Sequence, residues 1–142
     1  MTPEALARAC ADAMWEGDRA SQGLGMVIDS IAPGQAVLSM TIREDMTNGH
    51  GICHGGFIFT LADSAFAFAC NTYNQRVVAQ MAQISFLAPA HKGDRLTATA
   101  REVWRQGRGG LYDIRVTTQT GAPVAEFRGQ SRTVKGTHLP EE

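Results

Sequence analysis

The sequence predicts an α+β domain in which one antiparallel β-sheet wraps around a long central helix. Two observations support this prediction. Residues 54–70 read as a helix that is apolar on nearly all sides, and such a helix must be enclosed by other structure. Six strand-like segments flank it, two before and four after, and the short, turn-rich connectors among the last four favour antiparallel pairing between neighbours.

A short helix is predicted in front of the sheet, over residues 3–16. Thr2 offers a hydroxyl cap to its first turn, and Pro3 suits the first helical position. Apolar residues then recur at helical spacing until Gly17, which is expected to end the helix.

The two strands before the central helix are predicted at about 24–31 and 36–43, with a turn at 32–35. In the second strand, apolar residues alternate with polar ones, which is typical of a strand with one buried face. The four strands after the helix are predicted at 77–89, 94–105, 111–119 and 123–134.

Composition places the chain among ordinary globular domains. Its 142 residues suffice for one core, and a net charge of -1 with 44% hydrophobic residues argues against disorder or a nucleic-acid surface. We expect one domain over residues 1–142, with its core at about 20–135 and a disordered tail at 136–142. The N-terminus does not resemble a secretory signal, no apolar run suits a membrane span, and the three cysteines form no close pair. A cytoplasmic location with free thiols is therefore expected.

The central helix carries one charged side chain, Asp63. Thr60, Asp63 and Ser64 share one side of the helix because they are spaced i, i+3 and i+4. Burying an unpaired carboxylate is costly, so this stripe must face water or a polar cavity. Two interpretations remain open at this point: Asp63 pairs with an arginine such as Arg101 or Arg115, or it is a functional carboxylate whose pKa is raised by burial.

Glycines at the start of the helix are a second candidate feature. Gly55 and Gly56, which follow His54, leave backbone N–H groups unshielded at the positive end of the helix dipole. Such donors can polarise a carbonyl or hold a developing oxyanion. The alternative is that the glycines only allow the helix to pack closely on a strand.

Two further interpretations of this segment are less favoured. His50, Cys53 and His54 could bind a metal, but the adjacent glycines favour a loop and the sequence offers no fourth ligand nearby. Cys53 beside His54 could be a thiol nucleophile, but adjacent side chains rarely point at each other. We therefore expect neither a metal nor a redox cofactor.

The whole segment NGHGICHGGFIFTLAD resembles the signature of hotdog-fold acyl-CoA thioesterases, in the branch with an aspartate in the central helix. The stretches ISFLAPAHKGDRLTATA, GLYDIRV and VAEFRGQSR extend the resemblance over most of residues 20–135. It implies the hotdog fold and hydrolysis of phenylacetyl-CoA or ring-hydroxylated phenylacetyl-CoA thioesters, with coenzyme A as part of the substrate. Two further possibilities are a thioesterase for medium-chain or different aromatic acyl groups, and a hotdog protein that binds acyl-CoA without turnover.

The resemblance also implies roles for single residues. Asp63 matches the general base or nucleophile, and Gly55 matches the glycine whose N–H polarises the thioester carbonyl. Asn48 matches a residue that orients the carboxylate, the water or the thioester, and His54 matches a supporting hydrogen-bonding residue. Some relatives carry a hydroxyl at the position that is Ala79 here. The residues expected to contact the substrate are Gly56, Phe59, Thr60 and Ser64.

The spacing of the two main site residues predicts a homodimer. Gly55 and Asp63 are eight residues apart on one helix, which corresponds to a rise of about 12 Å. A base and an oxyanion donor must both come within roughly 3 Å of the reacting atoms. Two antiparallel copies of the helix can achieve this, with Asp63 of one chain facing Asn48 and Gly55 of the other. The resemblance further implies that such dimers pair into tetramers.

Two larger sets of residues are candidates for the rest of a substrate site. The aromatic residues that could line an acyl pocket, or else belong to the core, are Phe57, Phe59 and Phe66. The cations that could meet the coenzyme A phosphates, or else form an ordinary solvated surface, are Lys92, Arg95, Arg105, Arg108 and Arg132.

Overall fold

The computed structural model describes residues 1–140 and has the predicted order of elements. The helices are α1 (Pro3–Gly17), α2 (Arg19–Gly23) and α3 (Gly55–Cys70). The strands are β1 (Val27–Ala32), β2 (Gln35–Thr41), β3 (Val77–Phe86), β4 (Arg95–Gln106), β5 (Gly109–Thr117) and β6 (Pro123–Thr133). Helix α2 and a 3₁₀ turn at Glu44–Met46 were not predicted. Within the described residues, no helix has the length and apolar character needed to cross a membrane.

All six strands form one antiparallel sheet in the order β1-β2-β4-β5-β6-β3. Helix α3 lies against one face of this sheet and provides the centre of the core. Its side chains Leu61, Phe66 and Phe68 are almost fully buried. The predicted α+β architecture, with a sheet around a long central helix and a short helix in front, is confirmed.

One predicted strand pairing is wrong. The short connector HKGD, at 91–94, predicts that the strands on either side of it are neighbours, but β3 pairs with β6, and β4 lies between β2 and β5. The connector runs beside the start of α3 and does not form a hairpin. There the Ala90 carbonyl accepts a hydrogen bond from the Cys53 N–H at 2.8 Å, and His91 bridges to Ile52.

Strand β3 forms an edge of the sheet that α3 covers only in part, near Phe86. On β6, the helix-facing residues Phe127 and Gly129 are buried. Their partners on β3, Ile84 and Ala82, are half-buried and exposed respectively. The helix thus shields the sheet as far as β6 and leaves an open strip on β3. The large apolar side chains exposed along this strand are Val78, Met81 and Phe86.

The N-terminal helices dock on α3. Helix α1 begins as predicted, because Thr2 Oγ1 accepts a hydrogen bond from the Ala5 N–H at 3.0 Å. The Trp15 ring lies 6.2 Å from the Phe68 ring of α3. Helix α1 therefore contacts the central helix through Trp15, while most of its contacts are with β1.

Disorder is predicted for residues 136–142, but residues 136–140 follow a defined path in the structure. Residues 141 and 142 lie outside the described residues. Asn74 Oδ1 accepts hydrogen bonds from the N–H groups of His138, at 3.0 Å, and Leu139, at 2.9 Å. The His138 ring also lies 2.7 Å from Asn71 Oδ1. These partners give the segment a defined path that its own composition did not indicate.

Candidate active site

The start of α3 is held in place by hydrogen bonds to two other segments. The His54 N–H donates to the Met46 carbonyl, and the Cys53 N–H donates to the Ala90 carbonyl, both at 2.8 Å. His54 itself is the N-cap residue, and its Nδ1 accepts from the Gly56 N–H at 2.9 Å. The imidazole therefore caps the helix, and this contact occupies the Gly56 donor that was expected to bind substrate.

The Gly55 N–H is the free donor of this first turn. It has no acceptor within residues 1–140, whereas Gly56 is capped by His54 and the Phe57 N–H reaches the His54 carbonyl at 3.0 Å. An unpaired N–H at the positive end of a helix dipole suits a carbonyl oxygen or an oxyanion. This geometry is the one that the predicted role of Gly55 requires.

Gly55 also lies in close contact with an aromatic ring of β3. A Cβ atom at residue 55 would approach Phe86 Cζ to 2.9 Å and Phe86 Cε1 to 3.2 Å, so a larger residue would displace the ring. This contact agrees with the alternative interpretation, in which the glycine permits close helix–strand packing. Glycine at this position serves both the packing and the exposure of the N–H.

Asp63 is a half-buried carboxylate without a partner in the described part of the chain. Burial raises the pKa of its carboxyl group above the ordinary value. The two arginines considered as partners are engaged elsewhere, since Arg101 lies 3.7 Å from Asp113 and Arg115 pairs with Glu126. Asp63 therefore forms no ion pair with either arginine within one chain.

The rotation of α3 turns Asp63 toward the open strip on β3. Phe66 contacts Tyr112 of β5 and Phe127 of β6, while Phe59 packs on Phe127 with ring centroids 5.2 Å apart. Around the helix, Phe66, Phe59 and Asp63 follow one another within about 60°. This order matches the strand order β5, β6, β3, so Asp63 borders the part of the sheet that the helix leaves open.

Asn48 shapes the turn that leads into α3. Its Oδ1 accepts from the His50 N–H at 2.9 Å and from the Ile52 N–H at 3.4 Å. Its Nδ2 has no acceptor among residues 1–140. An amide donor that remains free is what a residue needs in order to orient a carboxylate or a thioester oxygen.

One chain does not bring all the predicted site residues together. Asn48, His54 and Gly55 lie at or just before the start of α3, whereas Asp63 lies about 12 Å further along the helix. The donor end and the carboxylate therefore belong to two separate half-sites within a single chain.

The two hydroxyls expected to contact substrate have protein partners. Thr60 Oγ1 donates to the Gly56 carbonyl at 2.8 Å, which is a bond within the helix. Ser64 Oγ lies 2.9 Å from Ser21 Oγ, and Ser21 donates in turn to Asp18 Oδ2 at 2.7 Å. These contacts tie α2 to α3 next to Asp63, and sequence reasoning missed Ser21 because it lies in an unpredicted helix.

Cys53 does not have the surroundings of a reactive thiol. It is buried, its Sγ lies 3.5 Å from the His54 carbonyl, and burial raises its pKa to about 11. Its neighbours His50 and His54 belong to no cluster of three or more potential metal ligands in the described range. Neither the thiol nor the metal interpretation gains support from this geometry.

The remaining candidates divide between core and surface. Phe66 is 1% exposed and belongs to the core, whereas Phe57 and Phe59 are half-buried. Arg108 and Arg132 are exposed neighbours near the β4–β5 turn. The candidate cations with a close protein partner form the pairs Lys92–Glu44, Arg95–Ser39 and Arg105–Tyr73.

Comparison with known proteins agrees with the fold. Residues 50–125, which include α3, match the family described as the thioesterase superfamily. The chain therefore belongs to the thioesterase superfamily. It is 48% identical to the acyl-coenzyme A thioesterase PaaI of Escherichia coli K12 over 128 residues, which cover 89% of this chain and 91% of that protein.

Solved structures give the same result. The structure of E. coli PaaI, from the phenylacetic acid degradation operon, matches with a TM-score of 0.94 and 43% identity, covering 96% of this chain and 99% of that one. A mutant of the phenylacetic acid degradation protein PaaI from Thermus thermophilus matches with a TM-score of 0.77 and 37% identity, covering 80% and 97%. The predicted hotdog fold and the predicted enzyme class, a thioesterase, are confirmed.

Proposed function

We propose that this chain hydrolyses acyl-CoA thioesters and that phenylacetyl-CoA or its ring-hydroxylated forms are the substrates. The observation that carries this proposal is Asp63, an unpaired, half-buried carboxylate on the open side of the central helix. The acyl group is proposed from the similarity to two PaaI proteins of phenylacetic acid degradation. The cytoplasm is the proposed location, because a reducing compartment suits the free thiols of Cys10, Cys53 and Cys70.

The proposed reaction uses only groups of the protein and water. Asp63, as a carboxylate, takes a proton from a water molecule whose oxygen attacks the thioester carbon, or it attacks that carbon itself. The Gly55 N–H stabilises the oxyanion, and Asn48 Nδ2 orients the reactants. In the general-base route the carbon–sulfur bond then breaks, and coenzyme A leaves as a thiolate that takes up the proton held by Asp63. In the nucleophilic route loss of the coenzyme A thiolate leaves a mixed anhydride on Asp63, and water hydrolyses it to the free acid and the Asp63 carboxylate, supplying the proton that the thiolate takes up. We propose no metal or other cofactor.

A homodimer would complete this site. Strand β3 exposes an unpaired edge and the apolar side chains Val78 and Met81, and such edges in natural proteins are usually covered or paired. A second copy that pairs along this edge would bring Asp63 of one chain toward Gly55 and Asn48 of the other across a two-fold axis. We propose that two such dimers associate further into a tetramer.

The first test removes the carboxylate and keeps its shape. Asp63→Asn is expected to lower turnover of phenylacetyl-CoA by about a hundredfold or more, measured as release of free thiol. Because the Asp63 pKa is raised, wild-type activity should fall on acidification at a pH above the ordinary aspartate value. A chelator should leave the wild-type rate unchanged.

Cys53→Ala is the matched control for this test and should keep most of the activity. An inactive Cys53→Ala with an active Asp63→Asn would favour the thiol mechanism. A panel of acyl-CoA thioesters tests the choice of acyl group and the occurrence of turnover. Preference for medium-chain acyl groups would correct the proposed substrate, and binding without any turnover would identify a non-catalytic acyl-CoA-binding protein.

The shared site makes a separate prediction. Asp63→Ala and Asn48→Ala chains, each nearly inactive alone, should regain roughly a quarter of wild-type activity when they are co-expressed and pair at random. Half the dimers would be mixed, and each mixed dimer would hold one intact site and one doubly defective site. Verified mixed dimers without any recovery would rule out a site that is built from two chains.

A further inference from the structure

We propose that Phe86 is a specificity-determining residue, whose ring selects aromatic acyl groups at the Gly55 donor. The inference rests on the proposed function and adds to it a residue that neither the motif nor the spacing indicates. It starts from one contact, the close approach of the Phe86 ring to the start of α3.

The distances around Gly55 indicate that the Phe86 ring lies near any carbonyl that accepts the Gly55 N–H. Three atoms of the Phe86 ring lie 2.9 to 3.5 Å from the position that a Cβ of residue 55 would occupy. That position is itself about 2.5 Å from the Gly55 nitrogen, by standard bond lengths and angles. The ring therefore reaches to within about 6 Å of the nitrogen whose N–H is free. A carbonyl held there at about 2.9 Å places its substituents next to the ring.

The ring is also available for such a contact. Phe86 is 54% exposed, although its partner in the sheet, Ala125 of β6, is fully buried on the helix-facing side. It stands at the end of β3 that meets the start of α3, beyond the small and exposed Ala82. One side of the ring is thus fixed against Gly55 and much of the remainder is open.

An exposed aromatic ring at this place discriminates between aromatic and linear acyl groups. Offset or edge-to-face contacts between two aromatic rings contribute beyond the burial of apolar area alone, which a flexible alkyl chain does not match. An acyl group that carries a phenyl ring one methylene from its carbonyl would thus be preferred over a linear acyl group of comparable length.

The experiment compares the selectivity of three enzymes: wild type, Phe86→Leu and Phe86→Tyr. The values of kcat/KM are measured for phenylacetyl-CoA, hexanoyl-CoA and acetyl-CoA. Phe86→Leu is expected to lower the ratio of phenylacetyl-CoA to hexanoyl-CoA by about 3- to 10-fold, and Phe86→Tyr to keep it. Leu87→Ala, which removes an apolar side chain of similar exposure that has no such contact with Gly55, is the control and should keep the ratio.

The outcomes separate the two proposals. A ratio between two substrates on one preparation does not depend on the active fraction, so partial unfolding of a variant does not imitate a change in selectivity. An equal loss of kcat/KM on all three substrates in Phe86→Leu, acetyl-CoA included, would overturn the role of Phe86 in selectivity. The proposed thioesterase function would still stand. A wild-type protein that releases coenzyme A from none of the three would overturn the proposed function and this inference with it.

Discussion

The two ends of α3 differ in how far the rest of the chain satisfies their hydrogen-bonding groups. At the C-terminal end, Asn71 is 3% exposed, and its Nδ2 donates to the carbonyls of Ala67, at 2.9 Å, and Val77, at 3.2 Å. Its Oδ1 accepts the Val77 N–H at 2.9 Å and so joins the helix to β3. At the N-terminal end, His54 caps the Gly56 N–H, and the Gly55 N–H is left without an acceptor in residues 1–140.

This difference separates stability from function along one helix. A hydrogen-bonding group left unpaired away from water costs free energy, so proteins normally satisfy it. The chain does so at the end where β3 must be anchored. At the other end it places a glycine and an aromatic ring around one free donor, and this is the arrangement expected of a site that receives its acceptor from a ligand.

The largest expected effect comes from removing that donor without disturbing the helix. In a Phe86→Ala background, which makes room for a Cβ at residue 55, Gly55→Pro should lower kcat by about 100- to 1000-fold relative to Gly55→Ala. Proline is well tolerated at the first helical position, and His54 already has the extended backbone, with φ -60 and ψ 132, that a following proline requires.

The two substitutions differ mainly in the N–H, because both add a Cβ. Circular dichroism and thermal unfolding would verify that both variants fold alike. Equal kcat values for the proline and alanine variants would show that the Gly55 donor takes no part in turnover, and the contrast between the two helix ends would lose its functional meaning.

At the closed end, the expected effect is on stability. Asn71→Ala should lower the free energy of unfolding by about 2–4 kcal/mol, because it removes a buried side chain and its hydrogen bonds to the backbone of Ala67 and Val77. Urea unfolding measures this loss, and kcat/KM corrected for the folded fraction should stay within about threefold. A stable Asn71→Ala protein that has lost its activity would place function at this end too.

The smallest effect is expected at the cap itself. His54→Ala should cost about 1 kcal/mol of stability, since the Gly56 N–H loses its acceptor, whereas His54→Asn should retain the cap. Thermal unfolding of both variants and their thioesterase rates would be compared. If His54→Asn is as stable as wild type but inactive, the imidazole contributes to the chemistry and not only to the capping.

Local patterns predicted the parts of this structure that local interactions determine. Thr2 and Pro3 predicted the start of α1, and the alternation of apolar and polar residues predicted the strands. The polar stripe singled out Asp63 because a lone carboxylate on an apolar helix is unusual wherever the helix lies. The glycines at the start of the helix indicated Gly55, and family resemblance added Asn48; both have an N–H donor without an acceptor among residues 1–140.

The remainder depends on contacts between distant residues, which spacing does not encode. A short connector favours a hairpin, which predicts β3 beside β4, whereas the structure has β3 against β6. Phe86 meets Gly55 only because that pairing carries the end of β3 to the start of α3. No feature of the sequence indicated that Asn71 is buried, because an asparagine after a helix looks like an ordinary loop residue.

The pairing of β3 with β6 has a consequence for how the protein is made. Val77 pairs with Thr133, which lies 56 residues further along the chain, so β3 has no neighbouring strand in its own chain until β6 has also been synthesised. At about 5–20 residues per second, this interval lasts several seconds. Any assembly that uses the outer edge of a paired β3 therefore needs chains in which β6 has already been made.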